Sequence, residues 1–173
     1  VSMDQISTMI DIGAGAGFPS IPLKILYPDL LVTIVDSLNK RITFLSHLVE
    51  QLGLQGVRCL HGRAEDFARN AAMRDCFDMA SARAVARLPV LNELCLPYVK
   101  PGGIFVAMKG ADSADEIRDS SKSLRELNGV LKADHAFRLP IEQSERHIII
   151  IEKTDRTPAK YPRKAGLPLK QPL

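Results

Sequence analysis

The chain has 173 residues, 46 % of them apolar and 25 % charged, the length and composition of one soluble globular domain whose core is large enough to fold without staples. Its three scattered cysteines, Cys59, Cys76 and Cys95, form no C-x-x-C pair, which excludes a disulfide framework and a zinc knuckle; they read as buried, reduced thiols of a cytoplasmic protein. No apolar run spans a bilayer, no basic-then-apolar pattern opens the sequence, and with no Trp and only 5 % aromatics a base-stacking platform of several rings is excluded.

In chain order, short β-branched runs alternate with amphipathic stretches, the pattern of βαβ units and a parallel sheet. Thr8 to Ile12 predicts a first strand, ended by Gly13, Gly15 and Gly17. Pro19 suits the first turn of a helix that Tyr27-Pro28-Asp29 stops. Leu31 to Val35 predicts a strand buried on both faces, and Ile42, Leu45, Val49 and Leu52 form the inner stripe of a helix from Asn39 to Leu52, with Gly53 as its stop.

Val57 to Leu60 and Phe77 to Ala82 predict the third and fourth strands. Leu91, Leu94, Cys95 and Tyr98 form a helical stripe before the turn Lys100-Pro101-Gly102-Gly103, and Ile104 to Met108 is the fifth strand. Ser113 and Glu116 have the spacing of a capping box opening one helix to about Leu127. Val130 to Phe137 and His147 to Glu152 predict two closing strands. The resulting domain covers residues 1–153, and a basic, Pro-rich tail covers 154–173, too rich in proline for regular helix.

The net charge of +3 is unevenly spread. From Lys153 onward, Lys153, Arg156, Lys160, Arg163, Lys164 and Lys170 face only Asp155, so a basic terminus follows a near-neutral body and implies an anionic partner.

The most informative segment is Asp11-Ile-Gly13-Ala-Gly15-Ala-Gly17-Phe18-Pro19. Glycines directly after a strand permit a tight turn and close backbone approach to a ligand, and the following helix directs free N–H groups at it. The spacing departs from the G-x-G-x-x-G of dinucleotide-binding proteins. It resembles instead motif I of the class I S-adenosylmethionine-dependent methyltransferases. Asp36 closes the second strand, where a carboxylate accepts both hydroxyls of a ribose, a group that NAD and S-adenosylmethionine share. After the third strand comes Gly62-Arg63-Ala64-Glu65-Asp66-Phe67, where such methyltransferases hold adenine through a backbone N–H and an acidic side chain. Ala64 and Glu65 are the candidates, with a surface ion pair the competing reading of Arg63 and Asp66.

The segments at 11–23, Val-Asp-Ser-Leu-Asn-Lys-Arg (35–41), Arg-Ala-Glu-Asp-Phe (63–67), Ser-Ala-Arg-Ala-Val-Ala (81–86), Met-Lys-Gly (108–110) and Tyr-Pro-Arg-Lys-Ala-Gly-x-Pro-x-Lys-x-Pro-Leu (161–173) together resemble the RsmG family, also called GidB. The resemblance covers nearly the whole chain, and its last block is the most family-specific. It implies a Rossmann-like α/β class I methyltransferase with a seven-stranded, mostly parallel sheet and an antiparallel terminal strand, a helical N-terminal segment missing from this sequence, and methyl transfer from S-adenosylmethionine to N7 of a guanosine in small-subunit (16S) rRNA.

On this reading Gly13, Gly15 and Gly17 hold the methionine end, Phe18 packs beside the cofactor, Asp36 holds the ribose, and Ala64 and Glu65 hold the adenine. Arg83 contacts the cofactor or guanine O6. Lys109, Arg163 and Lys164 meet RNA, naked or in a ribosomal particle, with the protein a monomer that needs neither metal nor membrane. No catalytic acid or base is assigned, because guanine N7 already carries an in-plane lone pair and positioning is the main requirement. Exocyclic-amine methyltransferases use Asn/Asp-Pro-Pro-aromatic after the fourth strand, where this chain reads Met79-Ala-Ser-Ala-Arg83, and neither Cys76 nor Cys95 sits in the motif that methylation at a pyrimidine carbon needs. Both read as small core residues, and the four histidines as surface or packing residues. The rival readings are a class I methyltransferase for another RNA, a small molecule or a protein, and a non-enzymatic binding module of the same fold.

Overall fold

The computed structural model describes residues 2–111 and 113–173. Seven strands, β1 (Thr8–Ile12), β2 (Leu31–Asp36), β3 (Val57–His61), β4 (Phe77–Arg83), β5 (Val99–Lys109), β6 (Gly129–Arg138) and β7 (Glu145–Lys153), form one sheet in the order β3-β2-β1-β4-β5-β7-β6. The first five are parallel; β7 inserts antiparallel between β5 and β6. The strand order reverses between β1 and β4, so the crevice beyond their carboxyl ends is the place where open α/β sheets bind ligands.

Side chains alternate across the pleat and build two cores. Ile10, Ile12, Ala80, Ala82, Phe105 and Ala107 face one layer, and Met9, Val32, Ile34, Met79 and Val106 face the other. The second layer is closed by α1 (Ser20–Leu26) and α2 (Asn39–Gln51), through Ile21, Ile42 and Leu45. On the first lie the single turn α3 (Ala64–Phe67) and α4 (Leu88–Cys95), covered in turn by α5 (Ser113–Asp119) and α6 (Ser121–Glu126).

Several local expectations are corrected. Pro19 is the residue before α1 and not its first. The Lys100–Gly103 turn lies inside β5, where the pairing with β4 jumps from Phe77↔Val99 to Met79↔Ile104. The single helix expected to reach Leu127 breaks at Ser120, where the hydroxyls of Ser120, Ser121 and Ser123 each donate to a carbonyl three residues back and compete with the helical ladder. Glu116 does not close a capping box; its carboxylate accepts from Leu88 N at 2.6 Å and from Lys109 Nζ at 2.7 Å. Cys76 is exposed, whereas Cys95 is buried as expected.

The tail docks on the body. Lys153 Nζ, fully buried, donates to Leu96 O at 2.8 Å and Thr157 Oγ1 at 2.5 Å, and Arg74 donates to the carbonyls of Thr157, Pro158 and Tyr161. A turn of helix does form there, α7 (Leu167–Lys170), because Pro168 falls in its first turn, where its missing N–H leaves nothing unpaired. All eight residues of α4 are buried, and α7 is among the elements packed on that helix.

Candidate nucleoside-binding site

The strand ends bring together residues far apart in sequence. Gly13, Gly15 and Gly17 all adopt positive φ, at +71°, +61° and +95°, which turns the chain sharply out of β1. A Cβ on Gly13 would lie 2.6 Å from Val85 Cγ2, so backbone is all that fits between the loop and that side chain. A cavity of about 220 Å³ lies beside it, lined by Gly13 just after β1, Asp36 from the end of β2, and Ala64 and Glu65 from the start of α3. Four of the expected cofactor residues therefore share one space.

Asp36 is fixed by Leu38 N–H on Oδ1 at 2.9 Å and by Arg41 Nη1 on Oδ2 at 3.3 Å. Glu65, only 2 % exposed, accepts on Oε1 from Gly166 N–H at 2.7 Å and from Arg63 Nη2 at 3.1 Å. Arg63 thus pairs with Glu65, and not with Asp66. Burial pushes the Glu65 carboxyl up, but the Gly166 N–H and the Arg63 guanidinium outweigh it and hold the group below its ordinary value. The acid at this cavity is held ionised by the tail.

Asp11, two residues before the glycine loop, is a buried carboxylate to which sequence reasoning assigned no site role. It lies in β1, fully buried, with Oδ1 accepting from Ser81 Oγ at 2.7 Å and Oδ2 left without a partner among the described residues. Burial pushes its pKa up to about 6, against hydrogen bonds from Ser20 and Ser81 that pull it down. The signal was present in the sequence as a carboxylate inside an apolar strand two residues before the first glycine.

Other expected residues are placed elsewhere. Gly15 lines an adjoining groove with Leu38 and Phe44, while a Cβ on Gly17 would meet Ile21 and Leu45. The exposed Phe18 ring lies under the Arg83 guanidinium at 5.7 Å. Lys109 Nζ is occupied by Glu116 and by Ala86 O at 2.9 Å. Arg163, expected on RNA phosphate, grips the buried Glu93 of α4 instead, with Nε–Oε1 at 2.9 Å and Nη2–Oε2 at 2.6 Å, because a carboxylate buried there needs a counter-ion. Lys164, next to it, is exposed. Ala84 has φ of +54° and lines both the nucleoside cavity and a second one toward β5, so an unfavourable backbone conformation marks the wall between them.

Glycine loop, carboxylate at the second strand end and acid after the third form a socket for a nucleoside carrying an amino group. Solved structures with the same fold include the 16S rRNA (adenine(1408)-N(1))-methyltransferase from Catenulisporales acidiphilia, 18 % identical with a TM-score of 0.70 over 91 % of this chain and 87 % of that one. Another is the precorrin-6y C5,15-methyltransferase from Geobacter metallireducens, 16 % identical with a TM-score of 0.62 over 86 % and 80 %. Fold and strand order are those of the class I S-adenosylmethionine-dependent methyltransferases.

A family model described as "rRNA small subunit methyltransferase G" matches residues 1–149. Curated proteins of that name from Exiguobacterium sp. and Halalkalibacterium halodurans are each 57 % identical, over 98 % and 100 % of this chain and 71 % and 73 % of their own lengths. The chain belongs to the rRNA small subunit methyltransferase G (GidB) family. Among the described residues no helix is long and apolar enough to cross a membrane.

Proposed function

We propose that the chain transfers the methyl group of S-adenosylmethionine to N7 of a guanosine in small-subunit (16S) rRNA. The observation that carries this reading is the cavity shared by Gly13, Asp36, Ala64 and Glu65, since it gathers the groups a nucleoside cosubstrate requires at the sheet's switch point. S-adenosylmethionine fits these residues: the two Asp36 oxygens, each accepting one hydrogen bond from the chain, keep lone pairs for a ribose diol, the Ala64 N–H and Glu65 carboxylate suit the adenine edge, and Asp11, two residues before the glycine loop that takes the amino-acid end, has one oxygen without a partner among the described residues.

When bound, S-adenosylmethionine supplies an electrophilic methyl on a sulfonium sulfur. Guanine N7 attacks with a lone pair already in the ring plane, so the chain has no proton to remove and its task is alignment and exclusion of water. Phe18, with the Arg83 guanidinium 5.7 Å over its ring, packs beside the cofactor, and Arg83 contacts the cofactor or guanine O6. Lys109, fixed by Glu116 and Ala86, sets the end of β5 beside the acceptor, and Arg163 locks the tail on α4 so that Lys164 presents its charge to RNA phosphate. The catalytic domain is residues 1–153, with residues 154–173 as its strap, acting as a monomer in the cytoplasm.

The test is the acceptor. With labelled S-adenosylmethionine, label enters small-subunit rRNA, supplied as RNA or as particle; label entering only protein or small molecules returns the chain to the wider class I group.

A further inference from the structure

A second cavity, of about 680 Å³, lies across Ala84 from the nucleoside cavity. Its floor is the carboxyl ends of β4 and β5, at Arg83 and Lys109, and its wall is the β6–β7 hairpin, from which Phe137, Leu139, Arg146 and His147 line it. The charges in it are unequal in availability. Glu116 neutralises Lys109 at 2.7 Å, and the His147 ring is held between Asp134 at 2.8 Å and Glu145 at 3.0 Å. No carboxylate among the described residues pairs with Arg146, whose guanidinium donates only from Nη1 to the Glu145 carbonyl, at 2.8 Å.

Phe137 stands opposite Arg146 in the β6–β7 register, and 43 % of it is exposed, a large ring that the fold leaves uncovered. An open aromatic face beside a guanidinium with no carboxylate partner among the described residues, in a cavity that adjoins the cosubstrate's, suits a planar heterocycle on an anionic backbone. We propose that this cavity seats the methyl-accepting nucleotide of the RNA, with Phe137 stacking on its base and Arg146 holding its phosphate; the inference rests on the functional reading above. Arg146 belongs on phosphate and not on the base edge, because a guanidinium reading guanine bidentately occupies O6 and N7, and the N7 lone pair is the one that must take the methyl. The hairpin then grips the acceptor, and the parallel strands β1 to β3 grip the donor.

The experiment compares wild type with Phe137→Ala, Arg146→Gln and Arg146→Lys, reading KM for small-subunit rRNA, the salt dependence of RNA binding, and S-adenosylmethionine affinity by calorimetry. Phe137→Ala raises KM for RNA roughly tenfold or more, the worth of one stacked base. Arg146→Gln flattens the slope of log affinity against log salt by about 0.7, one phosphate on a single strand, and Arg146→Lys restores it, since a point charge serves a phosphate. S-adenosylmethionine affinity stays at the wild-type value in all three, which also reports that they fold. RNA KM and salt slope at wild-type values in Phe137→Ala and Arg146→Gln overturn the proposal while leaving methyl transfer intact. A wild-type chain that binds S-adenosylmethionine but neither binds nor methylates rRNA overturns the functional reading and this site with it.

Discussion

Asp11, in β1, and Glu65, on the strand-end cavity, are both buried carboxylates, and their surroundings push them in opposite directions. Asp11 has serine hydroxyls and no cation in contact, so desolvation prevails and its pKa lies at about 6, above the ordinary 3.8. Between those values the folded chain keeps a proton that the unfolded chain has released, so stability is lost as pH rises through that window. Asp11→Asn removes this loss, on the order of 3 kcal/mol, so in urea titrations the variant gains stability relative to wild type between pH 4 and pH 7. An unchanged difference contradicts the account of Asp11. Glu65 instead has a backbone N–H and a guanidinium on Oε1 that hold its carboxyl below the ordinary value, which suits the proposed role of accepting from an exocyclic amine. Glu65→Ala weakens S-adenosylmethionine binding by more than about tenfold, the equivalent of one 1.4 kcal/mol contact; unchanged affinity in calorimetry contradicts the assignment. Gly13, Asp36, Ala64 and Glu65 were legible as neighbours in the sequence because each ends or follows a parallel strand, and parallel strand ends converge. The Ser81 and Gly166 partners, about 70 and 101 positions away, were not, because no local pattern encodes a contact across such a separation.

At the scale of elements, the strands were readable from apolar runs, whereas the packing of the tail beside α4 was not. A proline-rich basic segment was assigned an anionic partner outside the chain, and no periodicity in it reports that part of its charge is answered by a buried carboxylate of α4. Arg163 then has to neutralise Glu93, whose carboxylate is buried and accepts three hydrogen bonds from the guanidinium and one from the Arg163 N–H. Arg163→Ala leaves that charge unpaired and costs about 3 kcal/mol, seen as a lowered denaturation midpoint, and Glu93→Leu with Arg163→Met recovers most of it. A single variant as stable as wild type returns Arg163 to a role on RNA. The Ser120 break between α5 and α6 escaped notice because serine is unremarkable in a helical window until its hydroxyl bonds the turn before.

Across the whole molecule, the reversal of strand order between β1 and β4 puts two cavities, the proposed cosubstrate and acceptor sites, on one edge of the sheet with Ala84 lining both. The division follows from topology, since parallel strands with crossover helices supply the donor side and the antiparallel hairpin supplies a wall that sequence periodicity alone could not aim. We propose that these two cavities join to methylate N7 of a guanosine in small-subunit rRNA. The most direct measurement is to treat that rRNA with methyl-labelled S-adenosylmethionine and the chain, or a form extended to the length of its relatives, then digest it and identify the labelled nucleoside. The account predicts N7-methylguanosine. Label in any other nucleoside, or none in rRNA from a protein that binds S-adenosylmethionine, contradicts it.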